Sequence, residues 1–451
     1  MTAQKYFPHI RESWKLAYPV MLSQLSHVMV GVTDSIMVGH VGATSLAAAS
    51  LANVVFNLLM LFGIGVSYAI TPLVASAAGT HDTDKISRIL RHGIMIALVN
   101  SLVLILLVLS CKNILYHIDQ PPEVVELAIP YLSIIAFSLL PLLVFQTFRQ
   151  FAEGLSNTRI AMIIMVMSVV VNVGLNYLLI YGHAGFPAMG LAGAGWGSLV
   201  ARLLMMAAII GYVYQAASFR VFRAGFYFVA YSKKMFSQLL HLGIPAGMQF
   251  IFEVAAFDFS AIMMGWLGTK TLAAHQIAIN LATISYMTTS GLAAATTIRV
   301  STELGKRNFT KMREVAFTLL LMALVFMTLW GIVFIAGRQL LPGLYVDDQA
   351  VVNIAVPLIV IAGFFQLSDG AQVVCAGALR GLQDVKVPSF LIFVAYWIIG
   401  LPLGYWLAFR AGYGGTGIWW GLLIGLTVTA IAMLIRFDRL TKKIAGENVL
   451  S

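Results

Sequence analysis

Charge is scarce in this chain. Asp, Glu, Lys and Arg make up 10% of its 451 residues, where soluble domains carry about 25%. With 60% hydrophobic residues and a mean hydropathy of +0.90, the shortage excludes a water-soluble fold, which could not cover so much apolar surface, and implies a polytopic membrane protein. Cysteine is scarcer still. The two cysteines, Cys111 and Cys375, lie far apart in or at the edge of apolar segments, which excludes a disulfide framework and predicts passive core residues. A GxxxxGK[ST] phosphate loop is absent, as is any soluble domain to house one, which argues against an ATP-driven pump. No small-residue cleavage site follows the first apolar run, so that run is expected to be a retained span rather than a signal peptide. The net charge of +10 does not imply nucleic acid, because Lys and Arg fall in short clusters between apolar runs.

Apolar runs are what the chain has in abundance. A spanning helix needs about 20 apolar residues, and twelve segments qualify: 14–38, 46–77, 89–110, 124–147, 159–181, 190–215, 237–266, 272–302, 314–336, 350–378, 387–409 and 416–436. Prolines inside them are tolerable because neighbouring helices satisfy the freed backbone groups. With the N-terminus taken as cytoplasmic, 22 of the 28 Lys and Arg flank the cytoplasmic ends, from Lys5 to Lys443, and four (Lys112, Lys270, Arg338, Arg410) lie opposite. This asymmetry orients the protein with both termini in the cytoplasm. Arg202 and Arg299 fall within spans.

The two halves repeat. At an offset of 226, Pro19 meets Pro245, Gly39 meets Gly265, Gly42 meets Gly268, Leu46-Ala47-Ala48 meets Leu272-Ala273-Ala274, Gly65 meets Gly291 and Gly79 meets Gly305; near 227, Pro130 meets Pro357 and Gly154 meets Gly381. Six spans per half is an even number, so both halves enter from the same side, which makes a parallel repeat. The expected fold is an all-α integral membrane protein of twelve transmembrane helices in two pseudo-symmetric six-helix bundles. The lobes are 1–222 and 223–451, with a basic linker over 216–236. The glycine-rich stretch Gly190–Gly197 opens span 6 and reads as close helix packing rather than a nucleotide cradle.

Asp34, Glu253 and Asp369 are acids inside spans. A charged side chain at a helix centre costs about 2.5–3.5 kcal/mol on insertion scales and usually marks an ion or substrate pathway. The acids do not repeat: Asp34 aligns with Ser260, Glu253 with His27, and Asp369 with Leu142. Each lobe is therefore expected to have its own chemistry. Asp258, a further candidate for cation coupling, follows Glu253 by five residues, a rotation of about 140° that keeps the two off one narrow face, so that one of them could line the cavity while the other packs between helices. His27 lies two turns before Asp34 and could tune it or relay a proton. Asn172 and Asn176, spaced i, i+4, share a face and offer carbonyl oxygens to a hard cation or act as interhelical glue. Arg202 is a candidate ion-pair partner. Phe252, Phe257, Tyr286, Met287 and Phe365 flank the acids and could wall a cavity for apolar cations, or pack between helices.

With these residues in place, the chain resembles the multidrug and toxic compound extrusion (MATE) family, in its NorM-like bacterial branch. The resemblance covers nearly the whole chain and rests on VTDSIMVGHVG (Val32–Gly42), QFIFEVAAFDFSAIMMGWLG (Gln249–Gly268), LAAHQIAIN (Leu272–Asn280), EGLSNTR (Glu153–Arg159), NVGLNYLLIYG (Asn172–Gly182) and SDGAQVVCAGALRGLQD (Ser368–Asp384). It implies a monomeric exporter of cationic or amphipathic small molecules in the bacterial inner membrane, without cofactor, enzymatic activity or nucleic-acid partner. Na⁺ or H⁺ would be the coupling ion. It implies a C-lobe cation site at Glu253 and Asp369, which would be the Na⁺ ligands under sodium coupling, and an N-lobe acid at Asp34. Some members have Asp where this chain has Asn176, and Asp258 matches an acid of the eukaryotic branch. A flippase for anionic lipid-linked sugars would need several intramembrane basic residues, of which only Arg202 and Arg299 are available. An intramembrane aspartyl protease would need a GxGD string, which is absent.

Overall fold

The computed structural model describes residues 7–117, 120–227 and 231–447, and every regular element among them is helical. Lys5, counted above for orientation, and residues 228–230 of the linker lie outside the described residues. In chain order the helices are α1 (Phe7–Gly39), α2 (Ala43–Ser67), α3 (Ile70–Gly79), α4 (Thr83–Cys111), α5 (Pro122–Phe137), α6 (Leu139–Gly154), α7 (Arg159–Tyr181), α8 (Leu191–Gln215), α9 (Lys233–Trp266), α10 (Thr269–Gly305), α11 (Phe309–Ala336), α12 (Leu340–Gly343), α13 (Gln349–Gly381), α14 (Lys386–Phe393), α15 (Leu401–Tyr405) and α16 (Gly414–Glu447). A π-helical turn, Val394–Gly400, joins α14 to α15, and a second, Trp406–Arg410, continues α15, so that all four form one pass. With α2–α3 and α5–α6 also taken as single passes, the twelve expected spans are all present among the described residues. Ten are apolar and long enough to cross a membrane; α1 and α10, of 33 and 37 residues, match them in length but are more polar.

Proline explains two of the breaks. Pro72 and Pro141 lack the N–H that would bond the carbonyl four residues back, and α2 gives way to α3 at Tyr68–Ala69, α5 to α6 at Ser138. Where the second half lacks the matching proline, α10 and α13 run unbroken.

Close packing divides the chain into two compact units: Leu22–Gly247, here the N unit, and Met1–Met21 with Met248–Ser451, the C unit. The borders obey the repeat, since Met21 precedes Gly247 by 226 positions. Helices α1 and α9 each start in one unit and end in the other, so each unit holds the first half of the other's leading helix.

Equivalent contacts recur inside the two units. Thr71 Oγ1 donates to the Gln150 carbonyl at 3.0 Å, and its counterpart Thr297 donates to the Gly377 carbonyl at 2.9 Å. A Cβ on Gly154 would lie 2.8 Å from Val74, and one on Gly381 would lie 2.9 Å from Val300. The turns match as well: His81 and Arg307 share a left-handed φ of 56°, while Asp82 and Asn308 cap the helices that follow.

The ends of the crossing helices are held differently. In the C unit the Arg299 guanidinium donates to the His9 carbonyl, Ser13 Oγ and Glu12 Oε2, each at 2.7 Å. In the N unit the Ser232 N–H donates to His92 Nε2 at 2.8 Å. Two sequence expectations change. Cys375 is buried, but Cys111 is exposed at the end of α4, where the helix has already passed its apolar stretch. Arg149, one of the 22 basic residues counted at the cytoplasmic flanks, is buried in α6 and paired with Glu153 at 2.7 Å, one helical turn away.

Candidate functional site: two acid centres

The C unit builds its acid centre from α9, α13 and the first π-helical turn. Asp369 is buried on α13, and Gln372, one turn later, is buried beside it. Positions three apart on a helix are neighbours, so both side chains meet the same part of the interior. Glu253 comes from α9: its Oε1 accepts a hydrogen bond from Gln372 Nε2 at 2.9 Å. Glu253 and Asp369 are within electrostatic reach of each other. The Tyr396 hydroxyl donates to Gln372 Oε1 at 3.2 Å, and the Trp397 indole donates to the Phe252 carbonyl at 2.9 Å. Adjacent residues of one π turn thus fix α13 and α9; such turns recur at functional sites.

Two carboxyl groups in a water-poor interior repel each other when both are charged, so such a pair favours uptake of a proton or a cation. Among the described residues no three His, Cys, Asp or Glu groups cluster tightly enough to hold a metal ion by themselves. The donor set of two carboxylates and an amide suits a proton or a hard monovalent cation better than a tightly held transition metal.

The N unit surrounds Asp34 with neutral donors. Asp34 Oδ1 accepts from Asn176 Nδ2 at 2.5 Å, and Oδ2 accepts from Ser198 Oγ at 3.1 Å. Asn176 and Asn172 are themselves linked at 3.4 Å, and Asn172 reaches Ser198 at 3.4 Å. The glycines of Gly190–Gly197 make this approach possible. A Cβ on Gly193 would lie 2.5 Å from the Leu179 carbonyl, and one on Gly197 would lie 2.4 Å from Asn176 Oδ1, so the stretch acts in close helix packing, as its composition suggested. Arg202 adds positive charge within reach of Asp34; its guanidinium donates to Ser138 Oγ and lies 5.0 Å above the Phe56 ring. His27 is close enough to feel Arg202 and Arg149.

The remaining candidates divide. Asp258 is exposed on α9, away from the Glu253 face, as its rotation implied. Tyr286 lies near Tyr396 and so near the C-unit acids, and Met287 is half-buried one residue later. Phe252 packs on Phe393 at 5.0 Å; Phe257 meets Phe365 at 6.1 Å and Tyr396 at 5.8 Å. Phe365 is 3% exposed and belongs to the core. Sequence reasoning passed over Ser198, Gln372, Tyr396 and Trp397. A polar residue one turn after Asp369 was the available signal for Gln372; nothing in the sequence paired it with Tyr396.

Comparison with known proteins bears on the whole chain. The MatE family profile matches residues 19–178 and 245–406, two stretches whose starts are again 226 residues apart. A probable multidrug resistance protein NorM of Rhizobium meliloti (strain 1021) is 36% identical over 98% of this chain and 96% of its own length. The multidrug resistance protein MdtK of Yersinia pseudotuberculosis serotype O:1b (strain IP 31758) is 34% identical over 98% of this chain and 97% of its own. Among solved structures, that of MATE in the bent conformation superposes with a TM-score of 0.90 at 17% identity, covering 98% of this chain and 97% of that one. The eukaryotic MATE transporter AtDTX14 superposes with a TM-score of 0.86 at 20% identity, covering 98% and 99%.

Proposed function

This chain belongs to the MatE family and is a multi-pass multidrug efflux transporter rather than an enzyme; from that premise we propose that it is an antiporter, exporting cationic or amphipathic molecules in exchange for Na⁺ or H⁺ taken up at Glu253 and Asp369. The observation that carries this reading is that Glu253, which accepts from the Gln372 amide, lies within electrostatic reach of the buried Asp369. An incoming cation relieves their repulsion. A membrane potential drives its entry by about 2.3 kcal/mol per charge per 100 mV. An organic cation competes for the same negative charge, and that competition links the two fluxes: the bound coupling ion favours one access state and the bound substrate the other.

Asp34 takes a different part. With a neutral donor on each oxygen and Arg202 nearby, it organises the N unit and meets cations secondarily. Asp258 lies outside the coupling pair. Tyr286, Met287, Phe252 and Phe257 line the substrate side of the C-unit acids, with Phe365 supporting them from the core. His27 tunes the N-unit acid, and Asn172 with Asn176 holds it. The protein works as a monomer in the bacterial inner membrane, with both termini in the cytoplasm.

Efflux of a fluorescent organic cation from proteoliposomes, under separately imposed Na⁺ and pH gradients, tests this. One of the two gradients should drive export in the wild type, and Glu253→Gln with Asp369→Asn should reduce it to the rate without a gradient. Undiminished ion-driven export in that double variant would end the proposal.

A further inference from the structure

Glu253 is held through a two-step relay that starts at a tyrosine. Gln372 donates from Nε2 to Glu253 Oε1 at 2.9 Å, while its own Oε1 accepts from the Tyr396 hydroxyl at 3.2 Å. Gln372 is 1% exposed and Tyr396 is fully buried. An amide has a donor end and an acceptor end, so the tyrosine decides which end meets the acid. If the amide flipped, its oxygen would face a carboxylate oxygen, and the buried Tyr396 O–H would lose its acceptor. An unpaired buried donor is costly, so the flip is suppressed as long as the hydroxyl is present.

We propose that Tyr396 and Gln372 are positioning residues that lock the Glu253 carboxylate, reserving Oε1 for the amide and leaving Oε2 to take the coupling cation. The lock rests on the reading of Glu253 as part of the cation site. Its geometry comes from the π-helical turn: Tyr396 reaches Gln372 on α13 while Trp397 binds the Phe252 carbonyl on α9. That second contact fixes the backbone one residue before Glu253. The turn therefore positions the acid through its backbone and through its side-chain partner together. Pro402, which lacks the N–H that would bond Ile398 in an α-helix, follows within one turn and favours the irregular geometry.

The experiment is gradient-driven efflux titrated with the driving cation, in reconstituted wild type, Tyr396→Phe, Gln372→Met, the double variant and Glu253→Gln. Removing partners behind a cation ligand typically weakens affinity about 10–100-fold. Gln372→Met should shift the half-saturating cation concentration by about tenfold, and Tyr396→Phe should shift it the same way by a smaller factor. Maximal rates should stay within about twofold, because the lock acts on the cation site alone. The decisive result is the double variant: once Gln372 is gone, losing the hydroxyl should add nothing.

Multiplying effects in the double variant, a wild-type Tyr396→Phe beside a shifted Gln372→Met, or changes confined to maximal rate would overturn the lock. Should Gln372→Met fail to fold, infrared difference spectra decide the matter. The cation-induced carboxyl band that disappears in Glu253→Gln should shift in Tyr396→Phe, and an unshifted band would refute the proposal. Undiminished coupling in Glu253→Gln would instead refute the cation site on which the lock rests.

Discussion

Asp34 and the Glu253–Asp369 pair are both acids inside apolar helices, yet their surroundings differ. Asp34 has a neutral donor on each oxygen and an arginine in reach. In the C unit, the buried Asp369 and the half-buried Glu253 lie within reach of each other, and the Gln372 amide donates to Glu253. A polar group buried with its partners is a structural element; two like charges buried together are a demand for a cation. The contrast teaches that the repeat supplies the same scaffold twice while giving each acid different partners, and the division of roles proposed above follows from those partners.

The largest effect that would test this contrast lies in the N unit. Arg149 and Glu153 are 2% and 3% exposed and paired at 2.7 Å. Breaking such a pair leaves an uncompensated buried charge, so Arg149→Met should destabilise by about 3–5 kcal/mol, read from thermal unfolding in detergent. A smaller loss on adding Glu153→Leu would show that the cost is the stranded charge.

Next comes a crossover between the acid centres. Asp34→Asn sets an amide N–H against the Asn176 and Ser198 donors and should cost about 1–3 kcal/mol of stability while keeping ion-driven efflux. Glu253→Gln should keep or raise the melting temperature while losing coupling. Equal stability losses with equal coupling losses would erase the distinction.

Gly197→Ala sharpens the N-unit side of the comparison. Its Cβ would sit 2.4 Å from Asn176 Oδ1, so overpacking should cost about 1–3 kcal/mol. The cation titration of efflux should not move.

The smallest effect comes from Asp348 at the start of α13, on the outside of the C unit. Its hydrogen bond from Lys270, and then that from the Ala350 N–H, hold its carboxyl below the usual range. A depressed folded value adds stability above the unfolded pKa of about 3.9 and loses it as pH falls through the lower folded value. With the two side chains 56% and 47% exposed, Asp348→Asn should leave melting temperatures between about pH 5 and 8 parallel to wild type.

Much of the architecture was legible from the chain itself. Apolar runs marked the twelve passes, because a helix in lipid must be both long and apolar. Paired glycines and prolines at one offset revealed the repeat, because helix contacts too close for a Cβ recur in both halves: Gly65 packs on Gly247, and its counterpart Gly291 packs on Ala17 and Met21. The acids stood out because charge in such runs is rare. The partners did not. Ser198 and Gln372 look ordinary in a polar-poor helix until tertiary packing sets them against an acid, and Tyr396 reads as one more aromatic. The crossing of α1 and α9 between units was not legible, since each reads in sequence as one continuous span.

The most direct test is the melting temperature of purified protein as the driving cation is titrated, in wild type, Asp34→Asn and Glu253→Gln. A ligand that binds the folded state at 100 times its Kd stabilises by about 2.7 kcal/mol. Stabilisation that persists in Asp34→Asn and vanishes in Glu253→Gln is the predicted result. Stabilisation that vanishes in Asp34→Asn and persists in Glu253→Gln would contradict the assignment of the coupling cation to the C unit.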